Sequence, residues 1–192
     1  MKLGFKRCGA FLLDCLILFI VLTTITLFVP TFGNVEGLTE ETFEIMEEYV
    51  NEEITKDKFI EESNNISYEL SKGTYLYTIV GIVIYILYFV VFQAYNNGQT
   101  LGKKVFKIQV LKIDDELPDK NCLLIRSLIP YGILVNFVLV VAILFVNKDI
   151  YLNINTILNN IHMYVIIISV ILMFIKGRGI QDYLAKTKVE EV

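Results

Sequence analysis

The chain has 192 residues, of which 55% are hydrophobic and 20% charged, with a formal net charge of −4 and a mean hydropathy of +0.58. That apolar content exceeds a soluble domain's and lies in long blocks, which excludes an ordinary water-soluble enzyme and marks an integral membrane protein. The acidic balance leaves no basic excess for a nucleic-acid partner.

A helix needs roughly 20 apolar residues to cross about 30 Å of hydrocarbon. Residues 8–29, 74–95, 122–146 and 157–175 meet or approach that length. The first block follows Lys2, Lys6 and Arg7, a pattern a signal peptide shares, but its apolar run is long and no small-x-small cleavage site follows Val29, so an uncleaved helix is expected. Within it, Arg7 and Asp14 are seven residues apart, on one helix face and about 10.5 Å apart along the axis. An Asp at the centre of a spanning helix costs roughly 2.5–3.5 kcal/mol, somewhat less near its end, so such residues face the bundle and find partners.

Residues 31–73 form an acidic loop in which carboxylates from Glu36 to Glu69 outnumber Lys56, Lys58 and Lys72. Thr39 is placed to cap a helix whose Phe43, Met46, Val50 and Ile54 recur at three- and four-residue steps, and a shorter helix is predicted after Thr55 with Phe59, Ile60 and Ile66. The expected form is a small helical cap on the outer membrane face, and a solvated face explains its charge run better than an ion-gathering role. Asn65-Ile-Ser67 matches a glycosylation sequon, relevant only on a eukaryotic secretory route.

The second block is rich in tyrosine. Tyr85, Tyr88 and Phe92 share one helix face and predict a packing surface, while Gly81 and Gly132 allow close helix approach. Residues 96–121 follow, opening on GQTLGK. Gly98 and Gly102 enclose three residues where a phosphate-binding loop needs four, and Lys103 precedes Lys104 instead of Ser or Thr, so a nucleotide site is excluded. Phe106, Ile108 and Val110 alternate with Lys107 and Gln109, which predicts a strand ending near Asp114-Asp115 and Pro118.

The third block carries Arg126, Pro130 and Asn136. Pro130 is expected to divide a short interfacial piece from the main crossing, and Asn136 to hydrogen-bond another helix. The fourth carries Asn159, Asn160 and His162 in its first turns. Basic clusters at Lys2, Lys6 and Arg7, at Lys103, Lys104, Lys107 and Lys112, and at Lys176, Arg178, Lys186 and Lys188 all belong on the cytoplasmic side. The expectation is therefore an all-α membrane protein with four spans, both termini inside, an acidic helical outer loop and a short strand-like cytoplasmic segment.

Cys8, Cys15 and Cys122 then lie near the reducing side and read as packing residues. His162 stands alone, so no metal ligand set and no cofactor are expected. Arg126 lies at the depth of Asp14 and is its best partner, with Lys103 the second choice if the GQTLGK segment folds back. Arg7 is placed to meet Asp182. The cluster serves either as a clamp between helices, the favoured reading from the residues, or as a site where a proton or small cation exchanges at Asp14.

Taken together, these motifs resemble the RDD family of bacterial membrane proteins. Arg7 and Asp14 in KRCGAFLLD match the family's arginine and first aspartate, and Gly98, Gln99, Thr100, Gly102 and Lys103 match its G-Q-T-x-G-K segment. Arg126 matches an arginine early in the next helix, and Asp182, Ala185, Thr187 and Val189 match a closing D-x-x-A-x-T-x-V. Two features depart from the pattern: the long acidic outer loop, and Gln181 where a histidine often precedes the final aspartate. The resemblance implies a single multi-pass domain of the bacterial cell membrane, transport-related, with cation/proton exchange in some members. Its expected partners are the bilayer, a small cation or proton, and further copies of the chain. A structural or accessory module is the alternative, and an enzyme is not expected.

Overall fold

The computed structural model describes residues 2–192. Helix α1 (Lys2–Thr26) is followed by α2 (Val35–Val50), α3 (Lys56–Gly73) and α4 (Tyr75–Tyr95), the last containing a π-helical turn at Leu87–Phe92. Then come a short α5 (Leu101–Val105), strand β1 (Ile108–Lys112), α6 (Lys120–Leu128), α7 (Ile133–Phe145), α8 (Lys148–Lys176), a short α9 (Ile180–Leu184) and strand β2 (Thr187–Glu191). Three helices, α1, α4 and α8, are each long and apolar enough to cross a membrane, and α6 with α7, bent 70° apart, make a fourth crossing if counted as one broken span.

The break follows from Pro130 and Gly132. Proline removes a backbone donor, and Gly132 adopts φ +62°, which a glycine reaches at no steric cost. The ring of His162 meets the carbonyl of Ile129 at 2.7 Å, occupying a backbone group that the break frees. The lone histidine therefore has a structural task. Asn136, expected to bond another helix, has no side-chain hydrogen-bond partner among the described residues.

Helix α8 starts earlier than its apolar run, because Asn147 caps it by accepting from the Ile150 amide at 3.0 Å. Its asparagine-rich early turns are helix, with Asn159 donating back to Asn155. The acidic loop is a helical hairpin, but its packing differs from the periodicity. Asn34 caps α2, and Thr39 lies inside it, donating to the Val35 carbonyl. Ile45 and Ile66 are buried between α2 and α3, whereas Phe43, Met46 and Val50 stay exposed. Thr55 does cap α3, which runs 18 residues and not a short stretch. Tyr68, Tyr75 and Tyr151 pack on Ala142 and Ile143, seating the hairpin on the α7–α8 turn.

At the opposite end, β1 and β2 pair antiparallel, Val110 opposite Val189. The strand-like segment thus has a partner that the sequence reading lacked, the closing TKVEE. Ala10, Val90, Ile108, Val110, Leu123 and Val189 form the core beneath this ribbon. The first turns of α1 meet β2 here, with Lys6 bonded to Glu191 at 2.6 Å.

Candidate functional site

The charged residues of the first helix meet different partners. Asp14, 1% exposed, accepts three hydrogen bonds: from the Thr100 hydroxyl at 2.5 Å, the Gly102 amide at 2.8 Å and the Tyr88 hydroxyl at 2.6 Å. Its expected partner, Arg126, forms no hydrogen bond or ion pair with it and binds Asp182 and Thr187. The reason is steric and local: the GQTLGK segment folds back against α1 and fills the space around the carboxylate first.

Each residue of that segment has a task in doing so. Gly98, at φ +75°, lies where any side chain would strike the Val110 carbonyl. Gln99 donates to the Ile108 carbonyl at 2.9 Å, tying the segment to β1. Thr100 caps α5 by accepting from the Lys103 amide at 3.3 Å while its hydroxyl reaches Asp14. Gly102 sits so close to α1 that a Cβ would strike the Ala10 carbonyl and lie 2.8 Å from the Asp14 carboxyl carbon. Lys103 turns away and donates to Gln93 Oε1 at 3.2 Å. Lys103 does not pair directly with Asp14; burial, reinforced by the nearby Arg126, pushes its ammonium down to about 7.

Asp182 joins the other two charges. Arg7 Nη2 donates to its Oδ2 at 2.6 Å, and Arg126 Nη1 donates to its Oδ1. The Gly179 amide adds a third donor at 2.8 Å. Burial alone would raise this carboxyl, but Arg126 and Arg7 beside it hold it below the usual carboxylate range. Arg7 also caps the end of α8 through the Gly177 carbonyl at 2.9 Å, and Arg126 reaches Thr187 Oγ1 at 2.7 Å. The expected meeting of Arg7 and Asp182 is therefore found, as a triad with Arg126. The proposed four-charge cluster is two neighbouring units: a carboxylate held by neutral donors, and a carboxylate held by two guanidinium groups.

The two units flank a crevice of about 290 Å³. The first half of the broken span lines it as well, through Leu123, Arg126 and Ser127. Arg7, Asp14, Lys103 and Arg126 line its polar end, and Phe11, Leu12, Tyr131, Val170 and Met173 line its apolar walls. Leu12 is 67% exposed and Val170 42%, so the walls open toward the hydrocarbon.

Arg126 hydrogen-bonds through Nη1 alone among the described residues, and no buried side-chain nitrogen or oxygen lacks a partner. Its Nε and Nη2 donors therefore have no protein partner yet are not fully occluded, and Arg126 lines the crevice. Three cations and two carboxylates leave this end with positive excess whenever Lys103 is protonated. No group of three or more His, Cys, Asp or Glu suited to a metal occurs among the described residues.

Gln93 is a site residue absent from the sequence reading, and Tyr88 and Thr187 have site contacts beyond the packing face and the closing motif in which the sequence places them. Tyr88 was assigned to packing, and it does stack on Phe92 with ring centroids 5.5 Å apart. The π turn on which it sits is a local widening that periodicity at 3.6 residues does not register. Gln93 and Thr187 are buried polar residues in apolar or basic stretches, a signal that could have marked them.

A family model described as RDD family matches residues 4–186 of this chain. No curated protein and no solved structure matches it.

Proposed function

The chain belongs to the RDD family of membrane proteins, and from that premise we propose that it is a transport-related, non-enzymatic protein of the bacterial cell membrane. In this reading its charged end faces the cytoplasm, as the basic clusters favour. The crevice holds the solute and Asp14 carries a coupled proton.

The observation that supports this is the position of a buried carboxylate beside an open, charged crevice, joined to it by one short segment. A protonated Asp14 becomes a donor at one oxygen: Oδ1 still accepts from Tyr88 and Gly102, and at Oδ2 the bond to the Thr100 hydroxyl reverses, Thr100 accepting where it had donated. All three bonds then drop from charge-assisted to neutral strength, which loosens the segment that carries Lys103 to the crevice. Proton occupancy at Asp14 and solute occupancy beside Lys103 are thereby linked through Thr100 and Gly102.

Cation/proton exchange is the narrower form. It would place a small cation at Asp14 itself, with the Thr100 and Tyr88 hydroxyls turned to offer oxygen. The neighbouring guanidiniums oppose it by like charge. Further copies of the chain would complete a path across the rest of the bilayer.

The test is proton movement in proteoliposomes carrying an internal pH dye, driven by Na+, K+ or Li+ gradients, for wild type and folded Asp14→Asn. Loss of a wild-type signal in the variant supports coupling at Asp14; identical signals across all three cations remove cation/proton exchange. The second reading, a structural module, is favoured by the full satisfaction of both carboxylates. It predicts that Asp14→Asn lowers the amount of folded protein in the membrane.

A further inference from the structure

A crevice open to hydrocarbon at membrane depth is filled by whatever the bilayer supplies, because an empty apolar wall forgoes its dispersion contacts. What fills this one must suit two ends of different character. The apolar mouth is set by Phe11 and Leu12 on α1 and Val170 on α8. The polar end offers Arg126 Nε and Nη2, without protein partners, and the Lys103 ammonium, whose protein hydrogen-bond partner is the neutral Gln93. Asp182 is shared between Arg7 and Arg126, while Asp14 accepts three hydrogen bonds from neutral donors and keeps its charge at the crevice. The three cations exceed the two carboxylates by one when Lys103 is protonated, so the balance at this end still favours an anion.

We infer that the crevice takes an anionic phospholipid from the leaflet at the charged end of the bundle, its phosphate against Arg126 and Lys103 and one acyl chain between α1 and α8. A zwitterionic lipid would bring its own cation against the same donors and lose that advantage. The volume, about 290 Å³, lies at the low end for small-molecule sites and suits a part of one chain with its phosphate, not a whole lipid. The inference rests on the reading of the crevice as the solute site and names the solute's class.

The chain contains no tryptophan, so one introduced indole reports on its own position. Leu12→Trp and Val170→Trp place reporters on facing walls, and Phe137→Trp, on a lipid-exposed position of α7, is the reference. Each full-length variant is reconstituted in phosphatidylcholine, and quenching is titrated with chain-brominated phosphatidylglycerol or chain-brominated phosphatidylcholine.

At residues 12 and 170 the anionic lipid should be preferred by about tenfold or more, since each basic side chain contributes roughly fivefold; at 137 the two lipids should quench alike. Lys103→Met in the Leu12→Trp background, shown to be folded by its thermal unfolding, should reduce the preference about fivefold. Equal preference at 12, 170 and 137 overturns the inference, as does a preference unchanged by Lys103→Met. Millimolar inorganic phosphate should leave the quenching intact; its abolition would assign the site to free phosphate and overturn the lipid. A lipid preference in a protein that moves no proton or lipid retires the transport reading alone, and transport without a preference retires the lipid alone.

Discussion

Asp14→Asn separates the contacts observed from those a helix-to-helix ion pair would give. The carboxylate receives three hydrogen bonds, two at Oδ1 and one at Oδ2. Bonds to a charged group contribute about 1.5–3 kcal/mol each, against roughly 1 kcal/mol for neutral ones. The best placement of the amide keeps its oxygen at the Oδ1 position and retains Tyr88 and Gly102 at neutral strength. Its NH2 then faces Thr100, whose hydroxyl must turn and whose oxygen already accepts from the Lys103 amide. Weakening two bonds and disrupting the third, partly offset by removing a buried charge, costs about 2–4 kcal/mol. Unfolding of the purified protein in mixed micelles at rising SDS fraction measures this, with Thr100→Ser, which keeps the hydroxyl and loses one buried methyl, as a control expected to cost about 1 kcal/mol. Asp14→Asn as stable as wild type would refute the reasoning. The double variant Asp14→Asn with Arg126→Gln adds a second check: Asp14 and Arg126 share no hydrogen bond or ion pair, so the second substitution should not restore the stability lost with the first, where an ion pair would show rescue.

Gly102→Ala should destabilise the protein by about 1–3 kcal/mol, because the added methyl meets the Ala10 backbone carbonyl and the Asp14 carboxylate, a buried side chain already held by three hydrogen bonds; the same micelle titration reads it, and Leu101→Ala beside it, at a half-exposed position, should cost less. Lys103, lowered to about 7 by burial and Arg126, binds its proton more weakly folded than unfolded. The folded protein is therefore penalised below pH 7, and stability rises as pH increases from about 7 toward 10, with a slope of at most about 1.4 kcal/mol per pH unit. Unfolding measured at pH 6.5, 8 and 9.5 should show this rise, and Lys103→Met should flatten it.

The spans were legible because hydropathy and length act within one segment. Arg7, Asp14, Arg126 and Asp182 were also visible as charges where charge is costly. Their pairing was not, since four ions at similar depth admit several matches and electrostatics alone ranks Arg126 first for Asp14. The decision was made by groups without formal charge: a threonine hydroxyl, a glycine amide and a tyrosine on a π turn. The second strand escaped for a related reason. TKVEE alternates too briefly and carries too much charge to announce a strand, and it becomes one only because β1 offers it an edge. In the outer hairpin, periodicity selected Phe43, Met46 and Val50, yet Ile45 is the residue buried, because the face that packs is set by the angle at which α3 returns.

The two carboxylates differ in what a proton would do to them. Asp182 binds groups from α1, α6 and the α8–α9 turn, so its loss would unpin long helices from one another at once. Neutralising it strands two guanidiniums, a cost of about 3–5 kcal/mol for a buried ion left without its partner. Asp14 binds two groups from a five-residue helix and its cap, and one hydroxyl at an existing irregularity in α4. A proton there weakens the hold on a small element whose other ties are the Gln99, Lys103 and β1 contacts, and leaves the bundle standing. A carboxylate that exchanges protons during a working cycle must be able to change state without unfolding its protein. Of the two, only Asp14 is placed to do so, and the side chain that moves with it, Lys103, is one that faces the crevice.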